Sequence, residues 1–166
     1  HQKGYWDEQS IDNTFEEDDQ LYQKLLKNPK VTGIMPRLQT FALASYAEKT
    51  KGVLILGIDP IKEKAVNNLH EKIIDGQYIE TINDNAVVLG EGLASQLKLK
   101  VNDTMVLLGQ GYHASTAAAK FRVKGLVKLG AIELNNSVVY MPIKQSQFMH
   151  GAENRLTSVS VMLDKA

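Results

Sequence analysis

Residues Ala86 to Leu108 read AVVLGEGLASQLKLKVNDTMVLL, and this stretch decides the fold. Ala86–Leu89 is a compact apolar run with two adjacent valines, and it stops at Gly90. Leu93, Ala94 and Leu97 follow at helical spacing, with Glu91, Ser95, Gln96 and Lys98 on the opposite side. Val101-Asn102-Asp103 supplies a tight turn, because Asn tolerates a left-handed backbone and Asp bonds to its own local main chain. Thr104–Leu108 is a second β-rich run. A helix this short is not stable by itself. Its apolar stripe has to be buried on the two flanking strands, so the unit is the nucleus of a mixed α+β domain.

Outward from this nucleus, the whole chain sets bounds. Its 166 residues, 43% of them hydrophobic and 23% charged, suit one domain or two small subdomains with a substantial core. Lysine plus arginine and aspartate plus glutamate both number 19, so no basic excess points to nucleic acid. The absence of cysteine excludes disulfides, thiolate catalysis and cysteine metal sites. The longest apolar run, Gly52–Ile58, is far shorter than the roughly 20 residues a membrane span needs. The chain starts at His1 with no signal-peptide pattern, which reads as a processed or excised soluble piece of something larger.

Upstream, Tyr5 and Trp6 are paired aromatics in a polar segment, read as an anchor over the core edge or a partner contact. Thr14 and Glu17 have capping-box spacing, and Leu21, Tyr22, Leu25 and Leu26 share a face before Asn28-Pro29. These signals predict a helix over Phe15–Lys27. Gln39–Ala47 and Val53–Ile58 are expected to pair as a hairpin through a turn at Glu48–Gly52. After Asp59-Pro60, the residues Ile61, Ala65, Val66, Leu69, Ile73 and Ile74 predict one helix that buries this face and ends at Gly76. Downstream, Gly109–Lys120 reads as a hairpin loop leading to a strand at Phe121–Val127. Ser137–Met141 reads as a strand, Pro142–Met149 as a short helix and Thr157–Leu163 as a closing strand, with Val159, Val161 and Leu163 on one face.

No catalytic constellation emerges. Gly109-Gln110-Gly111-Tyr112-His113-Ala114 formally matches a dinucleotide fingerprint. The residues before the next strand are too few for the crossover helix that such a site requires, so the segment reads as a loop that also offers Tyr112 and His113 to a partner. His1, His70, His113 and His150 lack metal-ligand spacing. Glu16–Asp19 read as a solvated helix start, and no Gly-x-Ser-x-Gly elbow is present. The site reading is therefore no catalytic, cofactor or metal residue, with Tyr5, Trp6, Tyr112 and His113 as partner or substrate contacts.

VVLGEGLASQLKLKVNDTMVLL resembles the periplasmic core domain of MacB-like and FtsX-like ABC transporter permeases, a group that includes the lipoprotein-releasing LolC/LolE permeases. Those domains have a valine-rich strand, Gly, a short Leu-Ala-x-x-Leu helix and then Val-Gly-Asp before another strand. Asn102 stands where the family has Gly, and both accept a left-handed backbone. GVLILGIDP, IIDGQYI, FRVKGLV, VVYMPIKQSQ and TSVSVML continue the resemblance in family order.

The resemblance implies a porter-like α/β subdomain, residues 1–59 with 156–166, and an inserted, mainly β, sabre-like subdomain over 60–155. It implies a non-enzymatic role on the periplasmic side of the inner membrane, between transmembrane helices outside this chain. Cytoplasmic ATP-driven motion would be passed to export of a substrate or to a partner. The implied partners are an ABC ATPase, a second permease copy, and a periplasmic adaptor, lipoprotein or cell-wall hydrolase; no cofactor is implied. It also places the two termini close together on one face. The alternatives are a regulatory module that activates a cell-wall hydrolase, and a small-molecule or nucleotide binder using the Gly109–Gly111 loop.

Overall fold

Alternating apolar residues build most of the strands, in a computed structural model that describes residues 10–165. A 3-10 turn at Ile11–Asn13 leads to β1 (Phe15–Glu16), α1 (Asp19–Leu26), β2 (Val31–Tyr46), β3 (Lys49–Ile58), α2 (Pro60–Asn67) and β4 (Ile73–Gly76). Then come β5 (Ala86–Gly90), α3 (Glu91–Leu97), β6 (Thr104–Gln110), β7 (Thr116–Val127), α4 (Ile132–Asn135) and β8 (Val138–Pro142). The chain ends with α5 (Ile143–Met149), β9 (Arg155–Leu156) and β10 (Ser158–Leu163). This is an α+β fold, as expected. Tyr5 and Trp6 lie outside the described residues.

The sheet closes on itself. β2 pairs β3, β3 pairs β8 in parallel, β8 pairs β5, β5 pairs β7 in parallel, β7 pairs β6, and β6 returns to β2 at Ala42–Ser45. Every strand in this ring has a neighbour on both sides, which removes its edges. Side chains alternate between inside and outside with the strand period of two. Ile55, Val87, Leu89, Met105, Leu107, Val123, Val139 and Met141 form one cluster inside, each fully buried. The quoted nucleus folds as read: Leu93, Ala94 and Leu97 of α3 join the same cluster and plug the barrel. Asn102 has φ 77°, and Asp103 Oδ2 accepts the Lys100 N–H at 2.8 Å. On the outside, Leu56, Val88, Val138 and Tyr140 are covered by Leu69, Tyr78 and Ile79.

β2 outlasts the barrel. Its first half, Val31–Arg37, pairs β10 instead of β6. Pro36 is tolerated here because the β3 ladder ends one residue later, at Arg37 opposite Ile58. Helices pack on both faces of this extension. Tyr22 of α1 joins Leu38, Leu156 and Val159, while α2 meets Met35 and Arg37 through Asn67 and Glu63. Residues 1–59 and 60–155 thus contribute to one continuous sheet, since β2 and β3 belong to the same ring as β5–β8.

Several expectations change. The first helix starts at Asp19 and not Phe15, because Asp18 is the N-cap and accepts the Gln20 N–H at 2.8 Å. Thr14 is taken up elsewhere: it donates to the Ile11 carbonyl and accepts from Arg155. The hairpin turn is Ala47–Glu48, and Lys49–Gly52 already belong to β3. The helix expected to run to Gly76 stops at Asn68, whose left-handed backbone (φ 50°) breaks it, and Ile73–Gly76 become β4. Its buried residues are Pro60 and Glu63, while Ile61 is 68% exposed, because Glu63 reaches Arg37. Val161 and Leu163 stay exposed, because nothing described lies over the far end of β10.

The described ends of the chain have different neighbours. Asp164 donates its N–H to the Lys30 carbonyl where β2 begins, at 2.7 Å. The Ile11–Asn13 turn packs instead on the turn that joins β6 to β7.

Candidate partner-contact site

The β6–β7 hairpin ends in a turn at Tyr112–Ala114, with Gln110 opposite Thr116. His113 and Ala114 both have positive φ, 54° and 59°, at a cost of roughly 1–2 kcal/mol each. Specific bonds offset this strain. Gly111 N–H donates to the Ser115 carbonyl at 2.7 Å, and Ser115 Oγ donates to the Tyr112 carbonyl at 2.9 Å. His113 N–H donates to Asp12 Oδ1 at 2.7 Å. Gly111 has to be glycine, since a Cβ there would lie 2.3 Å from Ser115 Oγ and 2.9 Å from the His150 carbonyl.

That carbonyl is the second anchor. It accepts the Tyr112 N–H at 2.8 Å, tying the hairpin to the end of α5. His150 is fully buried, and its Nδ1 lies 2.7 Å from the Ser146 carbonyl. Burial holds its imidazole below the ordinary value, against a smaller opposite pull from that carbonyl.

Arg155 completes the arrangement. Its guanidinium carbon stands 4.5 Å from the centre of the Tyr112 ring, a cation–π distance. Its Nε donates to Thr14 Oγ1 at 2.7 Å, its Nη2 bonds the Thr14 carbonyl, and its Nη1 lies 3.9 Å from Glu16 Oε1. The Tyr112 and His113 ring centres are 3.9 Å apart at 48°. A cleft of about 360 Å³ opens between Glu16, Tyr112, Gly151, Glu153 and Arg155. A neighbouring cleft of about 520 Å³ runs beside α5, and Phe148, 78% exposed, stands in its wall.

The structure therefore brings Tyr112 and His113 together with Asp12, Arg155 and the end of α5. Sequence reading singled out the two rings and did not single out Arg155 or Phe148. The helical phase of α5 carried a signal for Phe148, because Ile143, Ser146 and Gln147 take the buried side. Arg155 gave none, as its partners are distant in sequence. The arrangement is suited to gripping another surface by aromatic and cationic contacts. Asp12 meets the backbone N–H of His113, which orients a turn and makes no acid–base pair. Tyr140, pushed up to about 12 chiefly by burial, is no ready nucleophile. Among the described residues no group of three His, Cys, Asp or Glu could hold a metal. Nor does an α-helix start at the Gly109–Ala114 pattern, which holds only the short 3-10 turn Tyr112–Ala114 before β7 runs back on β6.

Comparison with known proteins matches residues 2–166 to the model of the MacB-like periplasmic core domain. The chain belongs to the MacB-like periplasmic core domain family. Among curated relatives, this MacB-like domain is 27% identical over 150 residues to the lipoprotein-releasing system transmembrane protein LolE of Haemophilus influenzae, covering 87% of this chain and 36% of that protein. It is 24% identical over 159 residues to LolC of Neisseria meningitidis serogroup B, covering 92% of this chain and 38% of that protein. The chain thus spans little more than a third of either relative.

Two solved structures share the fold. One is the extracellular domain of the noncanonic ABC-type transporter YknZ from Gram-positive bacteria, with TM-score 0.67, 18% identity, and coverage of 92% of this chain and 75% of that one. The other is the periplasmic region of MacB from Actinobacillus actinomycetemcomitans, with TM-score 0.66, 16% identity, and coverage of 99% and 72%. No helix among the described residues is long and apolar enough to cross a membrane.

Proposed function

We propose that this MacB-like domain is the periplasmic, extracytoplasmic part of an ABC-type permease of the inner membrane. It passes motion driven by ATP hydrolysis on another subunit or domain to a substrate or a periplasmic partner. The observation that carries this reading is the family match over residues 2–166. The closed barrel supports it, because a packed core with no edges moves as one body. In this reading the porter-like part, residues 1–59 with 156–166, carries the open α/β end, and the sabre-like part, 60–155, supplies most of the barrel. The Tyr112–Arg155 cleft and Phe148 form the contact face toward the partner.

The test is made on the full-length gene product, reconstituted with its ATPase in liposomes. Apolar spans of about 20 residues are expected on both sides of this segment. ATP-dependent release of substrate is expected to fall in the Arg155→Ala and Phe148→Ala variants, with ATPase activity itself retained. A full-length product without such spans, or transport untouched by deletion of the domain, overturns the proposal.

A further inference from the structure

Two short helices pack on the inner side of this sheet, and their buried stripes differ. α3 turns Leu93, Ala94 and Leu97 inward, all of them apolar. α5 turns Ile143, Ser146 and Gln147 inward, and His150 continues the stripe one turn after Ser146. Only Ile143 of these is apolar, joined by Met149, which is partly buried against the barrel cluster. α5 lies close on β3 because Gly57 has no side chain: a Cβ there would stand 2.8 Å from the Ser146 Cβ. Gly57 pairs Leu38 of β2, and Leu38 shares a cluster with Ile143. The far end of α5 meets Tyr112 through the His150 carbonyl, just beyond Gly109, which pairs Ala42 of β2. Thr40 lies on β2 between Leu38 and Ala42 and on the same face as both. Thr40 Oγ1, Ser146 Oγ and His150 Nε2 thus fall in one layer between α5 and the sheet. All three are buried, and none has a hydrogen-bond partner among the described residues. A buried polar group left so costs about 1–3 kcal/mol.

We propose that α5 is a releasable strap: it lifts from β2 and β3 as a unit, ahead of the rest of the domain, and frees Tyr112 and Arg155 as it goes. A helix of seven residues has little stability of its own. Lifting it uncovers few apolar side chains and returns three polar groups to water, so it opens at a lower free energy than the barrel. The release reaches the contact site directly. The His150 carbonyl holds the Tyr112 N–H at 2.8 Å, and Gln147 Nε2 donates to the Arg155 carbonyl at 3.0 Å. Tyr112 and Arg155 are the cation–π pair of that site, and Phe148 rides on the strap itself. Seated, α5 holds all three in one arrangement; lifted, it lets them reorient. The consequence for a partner rests on the contact-face reading above, whereas the release itself does not.

The chain has no cysteine, so one introduced thiol reports on one place. Ser146→Cys puts it under α5, where Ser146 is fully buried, and Ala94→Cys puts it in the barrel plug, where Ala94 is 1% exposed. In the folded chain, a thiol reagent is expected to label Ser146→Cys at least about 100-fold faster than Ala94→Cys, because the plug opens only with the whole domain. Adding Thr40→Val, which removes an unpartnered hydroxyl, is expected to slow labelling of Ser146→Cys about fivefold. Hydrogen exchange on the unaltered chain gives a second reading, whatever the cysteines do to folding. The amides of Tyr112, His150 and Ala152 donate to the carbonyls of His150, Ser146 and Gln147. Their protection factors are expected to agree within about threefold, since one opening exposes all of them. Equal labelling of the two thiols, no slowing by Thr40→Val, or a Tyr112 amide that stays protected while those of His150 and Ala152 exchange overturns the proposal. Neither assay uses ATP, membrane or partner, so a negative result leaves the permease reading standing.

Discussion

The two halves of β2 solve the same problem in different ways. From Ala42 to Ser45 the strand has β3 on one side and β6 on the other, in a ring that closes. From Val31 to Arg37 it has β10, and beyond β10 nothing described. Inside the ring, Ile55, Leu107 and Val139 are fully buried, whereas no residue of β10 is. Closure concentrates burial, and with it stability, at about 25 cal/mol per Å² of apolar surface. The open half depends instead on helices laid over each face and on one largely buried ion pair, Arg37–Glu63. One strand thus joins a rigid half to a softer one.

The largest test of this contrast lies at the barrel plug. Leu97→Asp puts an unpaired carboxylate where Leu97 is 2% exposed. The cooperative thermal transition is expected to be lost, since that cost rivals the about 5–15 kcal/mol of a whole domain. A melt within a degree or two of the parent would show that the plug is not part of the core. Next is Gly90→Ala, whose Cβ would lie 2.2 Å from the Asn135 carbonyl oxygen. Overpacking against the backbone is expected to cost about 1–3 kcal/mol in denaturant unfolding.

The softer half should respond mainly through its ion pair. Glu63→Ala leaves Arg37 without its carboxylate. Arg37 is 27% exposed, so the loss is expected near 2 kcal/mol, below the about 3–5 kcal/mol of a fully buried pair. Gly33→Ala, whose Cβ meets nothing closer than 3.7 Å, is expected to be neutral or slightly stabilising. If Gly33→Ala costs more than Gly90→Ala, the ranking of the two halves is reversed.

The smallest expected effect is a pH slope. Burial keeps His150 below its ordinary value of 6.5, so the unfolded chain takes up that proton first as pH falls. Its contribution is complete above about pH 6.5 and declines as pH drops through that value toward the lower folded pKa. Melts in that window are expected to show a steeper fall in the parent than in His150→Gln.

What the sequence revealed follows the range of the interactions. Ala86–Leu108 was legible because each part of it is fixed by near neighbours: valines, a three-residue apolar stripe, and Asn102 in its turn. The Gly109–Lys120 segment was legible as the reversal of a hairpin, but its loop was read too long: Gly109 and Gln110 belong to β6 and Thr116–Lys120 to β7. Barrel closure was not legible, because the pairing of Ala42 with Gly109 leaves no local mark. The face of α2 was misread for the same reason. Hydropathy alone turns Ile61 inward, but Arg37, distant in sequence, pulls Glu63 inward instead. Thr14 had the look of a helix cap and was claimed by Arg155 from near the other end of the chain. The turn at Ala47–Glu48 carries no glycine, although Ala47 has φ 52°, so it was read a few residues late, toward Gly52.

The length of β2 has a mechanical consequence. Its 16 residues at about 3.4 Å each reach roughly 50 Å. Tension applied at Leu163 along the axis of β10 would load the rungs of the β10–β2 ladder together in shear, whereas a pull across the strand would peel them one after another. The same edge strand is therefore a strong tether in one direction and a zip in the other.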